Sequence, residues 1–159
     1  MFPELKTPAR LRAKGFDIEK ALADILTKNK LVTATVKGRP AIQLQVFEQD
    51  SLQRLTALLP TLPRHFLIGS ADEVKKWLAP ENIATLKTFA TGIAPTKQII
   101  DANPDIVAKA HEAGLAVVPY TFSSRSADTR EALTADMRKF VATYKVDGLF
   151  TDNPDLFPR

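Results

Sequence analysis

"AIQLQVFEQDSLQRLTALLPTLPRHFLIG", residues 41–69, contains a strand, a helix and a second strand in succession. Apolar residues alternate with glutamines over 41–47, which is the period of a strand. Leucines at helical spacing fill 50–60, and a short apolar run at 65–68 ends at a glycine. Parallel strands need a connection of about a dozen residues or more to return to the same end of a sheet. The stretch therefore predicts two parallel strands joined by a helix.

The same alternation extends in both directions. Strands are predicted at residues 1–5, 41–47, 65–68, 115–121 and 148–151. Helices are predicted at residues 17–28, 50–60, 70–78, 82–92 and 103–113, with a last, longest helix from 128. The residues between the first strand and the first of these helices are predicted to form a loop. Strands that alternate with helices favour an α/β fold, either an open doubly wound sheet or part of a (β/α)8 barrel.

Helix starts are marked by capping residues. The predicted N-caps are Asp17, Ser70, Asn103 and Asp128. Ser70 and Asp128 are each followed three residues later by a glutamate, the spacing of a capping box. The apolar face of the first helix is predicted to consist of Ile18, Leu22, Ile25 and Leu26.

Composition narrows the function. The chain has 159 residues, 45% of them hydrophobic, and it contains no cysteine, which excludes a disulfide framework and thiolate metal sites. Lysines and arginines exceed acidic residues by 22 − 18 = 4, but they are scattered among the acids. Nucleic-acid binding is therefore not expected. No apolar run approaches the roughly 20 residues of a membrane-spanning helix.

Polar residues follow several predicted strands. They are Glu4, Lys6, Gln45, Tyr120, Thr121, Thr151 and Asp152. Barrel enzymes and open α/β sheets both assemble their sites at the carboxyl ends of parallel strands. These residues therefore predict one shared pocket.

Four stretches, in this order, resemble the C-terminal part of bacterial glycerophosphodiester phosphodiesterases, most closely the periplasmic type. They are "FPELKTP" (2–8), "LQVFEQDSLQRL" (44–55), "AHEAGLAVVPYTF" (110–122) and "VDGLFTDNPD" (146–155). The match of all four stretches, in this order and at this spacing, is more specific to the family than the match of any single stretch. Residues 70–100 match least distinctly.

This resemblance implies a (β/α)8 TIM barrel of the phospholipase-C-like phosphodiesterase fold. Residues 1–159 would form its C-terminal portion, about five βα units, because a complete barrel takes about 250 residues. In the family the first three strands carry "H-R-G", "E-x-D" and "H-D" motifs, which supply the catalytic histidine pair and two of three metal carboxylates. We expect these strands to be absent from the chain, so no catalytic residue is assigned and the metal site is expected to be incomplete.

The resemblance also assigns roles to individual residues. It implies that Glu4 is a ligand of Mg²⁺ or Ca²⁺ and that Lys6 contacts the substrate phosphate. Glu4 and Lys6 are positions i and i+2 of a strand, so their side chains lie on the same face. This arrangement suits one residue that binds a metal and another that binds the phosphate bridged by that metal. Gln45 either lines the pocket or is a polar residue of the sheet face. Tyr120 either covers the glycerol moiety of the substrate or packs in the core.

The remaining polar residues have structural interpretations. His65 and His111 are the only histidines, and neither lies in the family's catalytic motifs. We expect both to be structural or exposed. For Asp152, a role in the turn that follows the strand is at least as well supported as a role in the chemistry of the site.

Two functional hypotheses follow, and whether the chain alone is an enzyme stays open between them. The first is the C-terminal part of a metal-dependent hydrolase that converts glycerophosphodiesters to sn-glycerol 3-phosphate and an alcohol, inactive without its N-terminal strands. The second is a non-catalytic α/β binding module derived from that fold. In either case we expect self-association or pairing with the missing N-terminal segment, because open sheet edges need a partner. The resemblance further implies a periplasmic location.

Overall fold

The computed structural model describes residues 1–158 and is an α/β structure. Its helices are α1 (Pro8–Arg12), α2 (Ile18–Lys28), α3 (Gln49–Leu58), α4 (Ala71–Trp77), α5 (Pro80–Phe89), α6 (Lys97–Ala102), α7 (Asp105–Glu112) and α8 (Arg130–Arg138). Its strands are β1 (Thr35–Val36), β2 (Arg39–Pro40), β3 (Leu44–Val46), β4 (Arg64–Ile68), β5 (Gly92–Pro95) and β6 (Ala116–Val117). A π-helical turn (Lys139–Thr143) extends α8, and a 3-10 turn (Pro154–Leu156) lies near the end of the chain.

A four-stranded parallel sheet has the order β3-β4-β5-β6, while β1 and β2 form a separate antiparallel hairpin. Strand β3 pairs with β4 in parallel, with Leu44 opposite Arg64. The helical crossover predicted between these two strands is α3. The α/β class with parallel strands is therefore confirmed.

Contacts divide the chain into two compact units. The first comprises residues 1–67 and 84–92, and the second comprises residues 68–83 and the chain from 93 onward. In the first unit, leucines of α2 and α3 pack against β3 and the segments beside it. This core consists of Ala23, Leu26, Ile42, Leu44, Leu55, Leu59 and Leu62.

The buried face of α2 differs from the predicted one. Ile25 is 57% exposed, whereas Glu19 is fully buried. Arg12 of α1 forms an ion pair with Glu19, and Arg54 of α3 lies 3.6 Å from the same carboxylate oxygen. The glutamate is buried because two guanidinium groups from neighbouring helices balance its charge. Asp17 caps α2 as predicted, accepting a hydrogen bond from Lys20 N at 2.9 Å.

A second buried charge, Arg64 of β4, lies in the first unit and is only 6% exposed. Its Nη1 donates to the carbonyls of Leu62 at 2.6 Å, Pro60 at 3.2 Å and Leu59 at 3.3 Å. Its Nε donates to Phe89 O, at the end of α5, at 3.1 Å. Burial lowers the pKa of Arg64 from its ordinary value. One side chain therefore binds carbonyls of the C-cap residue after α3, of the loop that enters β4 and of the last residue of α5.

The second unit has an aromatic core and an ion-pair network on its helices. The rings of Phe122 and Phe140 pack edge to face, with centroids 4.9 Å apart. Asp101 accepts hydrogen bonds from Lys139 Nζ at 2.5 Å and from Tyr144 OH at 2.8 Å. These two bonds, that of Lys139 first, lower the pKa of the Asp101 carboxyl. The network ties α6 to the turn that follows α8.

Several predicted strands are shorter than expected. Residues 1–5 and 148–151 each contribute a single parallel bridge, between Glu4 and Gln45 and between Thr151 and Phe122. Strand β5, at Gly92–Pro95, was not predicted, because the predicted helix ends at Gly92 and the three residues that follow it are too few to show a period of their own.

Some local features also differ from expectation. The predicted loop after residue 7 contains α1, which begins at Pro8. Ser70 caps α4 as predicted, accepting from Glu73 N at 3.2 Å. Asn103 is instead the C-cap residue that follows α6, and Pro104 precedes α7. The N-cap of α8 is Thr129, not Asp128, since the hydroxyl of Thr129 accepts from Ala132 N at 3.0 Å.

We predict that Arg64→Met lowers the free energy of unfolding by about 3 kcal/mol or more, because the carbonyls of Leu59, Pro60, Leu62 and Phe89 lose the guanidinium that donates to them. Urea unfolding at neutral pH measures this effect. Arg138→Met is the matched control, since Arg138 is exposed and forms no ion pair within residues 1–158. It should change stability by less than about 0.5 kcal/mol. Equal stabilities of the two variants would contradict the assigned role of Arg64.

Candidate functional site

The first residues of the chain run parallel to β3 along the edge opposite β4. Gln43 N donates to Met1 O, Gln45 N donates to Pro3 O, and Leu5 N donates to Gln45 O, at 3.0 to 3.2 Å. Pro3 suits this outer position, because a proline lacks the N–H that a central strand must donate. Glu4 and Lys6 consequently lie beside the carboxyl end of β3.

Glu4 and Lys6 contact each other. Lys6 Nζ donates to Glu4 Oε1 at 3.0 Å, with the lysine side chain 78% exposed and the glutamate side chain 24% exposed. The pair therefore faces solvent on one side of the segment. Such an exposed ion pair contributes little to stability.

A small cavity of about 240 Å³ lies at this strand end. It is lined by residues 4–8 and 46–48. The chain turns sharply at Thr7, whose φ is 49°, and enters α1 at Pro8. This turn closes one wall of the cavity directly after Lys6.

Sequence reasoning assigned no role to Phe47 and Glu48, which also line this cavity. Phe47 is 48% exposed although it is aromatic. Glu48 Oε2 accepts a hydrogen bond from Ala9 N, in the first turn of α1, at 2.9 Å. Both follow β3 directly, so their position after the strand was the available signal.

The other two predicted substrate-binding residues have hydrogen bonds within the protein. Gln45 is 9% exposed, and its Nε2 donates to Phe2 O at 3.1 Å. This bond helps to hold the first residues against β3. Tyr120 belongs to the second unit, where its hydroxyl donates to Ile68 O at 3.3 Å. The structure brings Glu4, Lys6 and Gln45 together. The metal-binding role of Glu4 and the substrate-binding roles of Lys6, Gln45 and Tyr120 stay predictions.

Each histidine has a carboxylate or amide partner. His65 is buried in β4, where its Nε2 lies 2.8 Å from Gln43 Oε1 and its ring packs against Phe2. His111 Nε2 lies 2.9 Å from Asp147 Oδ2, which also accepts from Val117 N at 2.7 Å. Asp152 is exposed, and its backbone N donates to Phe122 O at 3.0 Å.

The described residues do not by themselves fit a complete divalent metal site. Within residues 1–158, no three or more histidine or acidic side chains are grouped so that they could hold a metal ion. Mg²⁺ and Ca²⁺ take six or more oxygen ligands, of which waters supply only some. Glu4 offers one carboxylate, and Lys6 already binds one of its oxygens. Across the same residues, no helix is long and apolar enough to cross a membrane.

Comparison with protein families gives one result that covers nearly the whole chain. The model of the glycerophosphoryl diester phosphodiesterase family matches residues 4–156. A comparison with curated proteins gave no match.

Solved structures show a similar fold. A candidate glycerophosphoryl diester phosphodiesterase from Silicibacter pomeroyi is 22% identical, with a TM-score of 0.69, over 98% of this chain and 48% of its own length. A glycerophosphodiester phosphodiesterase from Agrobacterium tumefaciens is 22% identical, with a TM-score of 0.63, over 98% of this chain and 53% of its own. A phosphodiesterase from Oleispira antarctica, in complex with the product sn-glycerol-3-phosphate, is 16% identical, with a TM-score of 0.63. The match covers 95% of this chain and 50% of that protein's own length.

These likenesses confirm the predicted fold, part of a TIM-barrel-like α/β structure. The chain spans about half the length of the structures it matches.

We predict that Lys6→Met and Gln45→Leu differ in their effect on the free energy of unfolding. Lys6→Met should change the free energy of unfolding by less than about 0.5 kcal/mol, because its ion pair is exposed. Gln45→Leu should lower it by about 1 kcal/mol, because Phe2 O loses its side-chain donor. Urea unfolding of both variants measures the difference. A larger loss in Lys6→Met than in Gln45→Leu would show that the exposed pair is structural.

Proposed function

Because the chain belongs to the glycerophosphoryl diester phosphodiesterase family, we propose that it is the C-terminal part of an enzyme that hydrolyses glycerophosphodiesters to sn-glycerol 3-phosphate and an alcohol. The observation that carries this proposal is the Glu4–Lys6 pair, which lies beside the carboxyl end of β3 in a small cavity. Carboxyl ends of parallel strands are where barrel enzymes place their reacting groups.

Lys6 is proposed to bind the phosphate of the substrate. Its ammonium is mostly exposed and is held at the cavity by one hydrogen bond, so it can turn toward an anion at little cost. A lysine so placed offsets negative charge on the phosphoryl oxygens as the leaving alcohol departs. Gln45 and Tyr120 stay proposed contacts of the substrate.

Glu4 is proposed to supply one oxygen ligand to Mg²⁺ or Ca²⁺. Since the described residues form only part of such a site, the other ligands and the acid-base histidines are proposed to come from a segment that carries the family's "H-R-G", "E-x-D" and "H-D" motifs. His65 and His111 support this division, because both bind structural partners. The alternative is a non-catalytic binding module, with which the incomplete ligand set is equally consistent.

We propose that the edges of the sheet are covered either by that segment or by a second copy of the chain. A periplasmic location is proposed from the resemblance alone.

Complementation tests the proposal. The purified chain with Mg²⁺ or Ca²⁺ is expected to give no turnover of glycerophosphocholine or glycerophosphoethanolamine. Addition of a separately expressed N-terminal segment of a related enzyme, with the three motifs, should give metal-dependent release of sn-glycerol 3-phosphate. Glu4→Gln should abolish this release, whereas Glu112→Gln, an exposed substitution on α7, should leave it unchanged.

Two outcomes would contradict the proposal. Turnover by the purified chain alone, lost in Glu4→Gln, would show that the catalytic groups lie within it. A segment that co-sediments with the chain but gives no metal-dependent activity would favour the binding module.

A further inference from the structure

A larger cavity lies in the second unit, between α4 on one side and α6 and α7 on the other. Its volume is about 620 Å³, within the range of small-molecule sites, roughly 300–1,000 Å³. All of its lining residues belong to the second unit. None of them belongs to the cavity that contains Glu4 and Lys6.

The inner surface of this cavity is apolar. Val74 and Ile106 form its most deeply buried part, with 1% and 7% of their surfaces exposed. Leu78 and Ile99 add aliphatic walls, and Ala102 contributes a small, exposed side chain to the lining. A lining of this kind favours an aliphatic chain over a polar ligand.

Charged side chains lie at the edges of the same cavity. Lys75 of α4 and Lys109 of α7 are both exposed, and neither forms an ion pair within the part of the chain that the structure describes. Asp72 is the one acidic residue of the lining, which leaves a net charge of 2 − 1 = +1. Asp72 lies in the first turn of α4, where the helix dipole already stabilises its carboxylate.

We propose that this cavity binds a single-chain amphiphile with an anionic head group, a long-chain carboxylate. Its aliphatic chain would lie on Val74, Ile99 and Ile106, and its carboxylate would lie between Lys75 and Lys109. The two lysines, on separate helices, favour an anionic head group, and the apolar interior favours an aliphatic chain. The site is independent of the proposed hydrolytic function, and its test measures binding only.

The test compares ligands that differ in one property. Laurate, below its micellar concentration, is titrated into the purified chain by calorimetry, with the fluorescence of Trp77, the only tryptophan, as a second readout. Dodecanol and dodecyltrimethylammonium keep the chain but change the head group, and acetate keeps the head group without the chain. Laurate is expected to bind at least about tenfold more tightly than each of them.

Variants locate the binding. The double variant Lys75→Glu and Lys109→Glu should weaken laurate about tenfold while leaving dodecanol unchanged. Ala102→Phe, which places a large side chain at an exposed position of the lining, should weaken the binding of both ligands. Lys87→Glu, an exposed charge reversal on α5 outside the lining, is the control and should change neither. Circular dichroism of each variant checks that it is folded.

Three results would overturn the proposal. They are the absence of laurate binding, equal affinity for laurate and dodecyltrimethylammonium, and laurate affinity that is unchanged in both Ala102→Phe and the lysine double variant.

Discussion

The hydrogen bonds of the buried Arg64 guanidinium hold together the unit that carries the candidate site. Arg64 lies in β4 and binds the carbonyls that precede this strand and that of Phe89. Strand β4 pairs with β3, and β3 binds the first residues of the chain along its other edge. Arg64 holds β4 in place, β4 pairs with β3, and β3 pairs with the segment that contains Glu4. The position of Glu4 therefore depends on the hydrogen bonds of Arg64 to backbone carbonyls. A buried cation is tolerated there because helix ends offer several carbonyls in one place.

Much of the fold could be predicted from the sequence, because periodicity records which face of each element is buried. The strand, helix and strand of residues 41–69 and the caps Asp17 and Ser70 were predicted correctly. Strand β5 was not, since the three residues that follow the predicted helix are too few to show a period of their own. Ile25 was assigned to the core for its hydrophobicity, but the pairing of Glu19 with arginines of other helices decides which face of α2 is buried.

The candidate site was predictable only where it depends on spacing along one segment. Glu4 and Lys6 are two residues apart beside a strand, so their contact follows from local geometry. The capping of α1 by Glu48 depends on a turn at Thr7 that no periodicity indicates. The bond from Gln45 to Phe2 likewise joins residues far apart in the sequence. The family match adds what neither spacing nor contacts supply, namely the family to which the chain belongs. The reaction that the Glu4 and Lys6 side chains would serve is our proposal.

We propose that Glu4 and Lys6 form the metal-binding and phosphate-binding end of a phosphodiesterase site. A crystal structure of the chain with its complementing segment, Mg²⁺ and sn-glycerol 3-phosphate would show both contacts. We expect a Glu4 carboxylate oxygen about 2.1 Å from Mg²⁺ and Lys6 Nζ within about 3 Å of a phosphate oxygen. Bound magnesium and product, with Glu4 and Lys6 in contact only with each other, would show that neither residue has the proposed role.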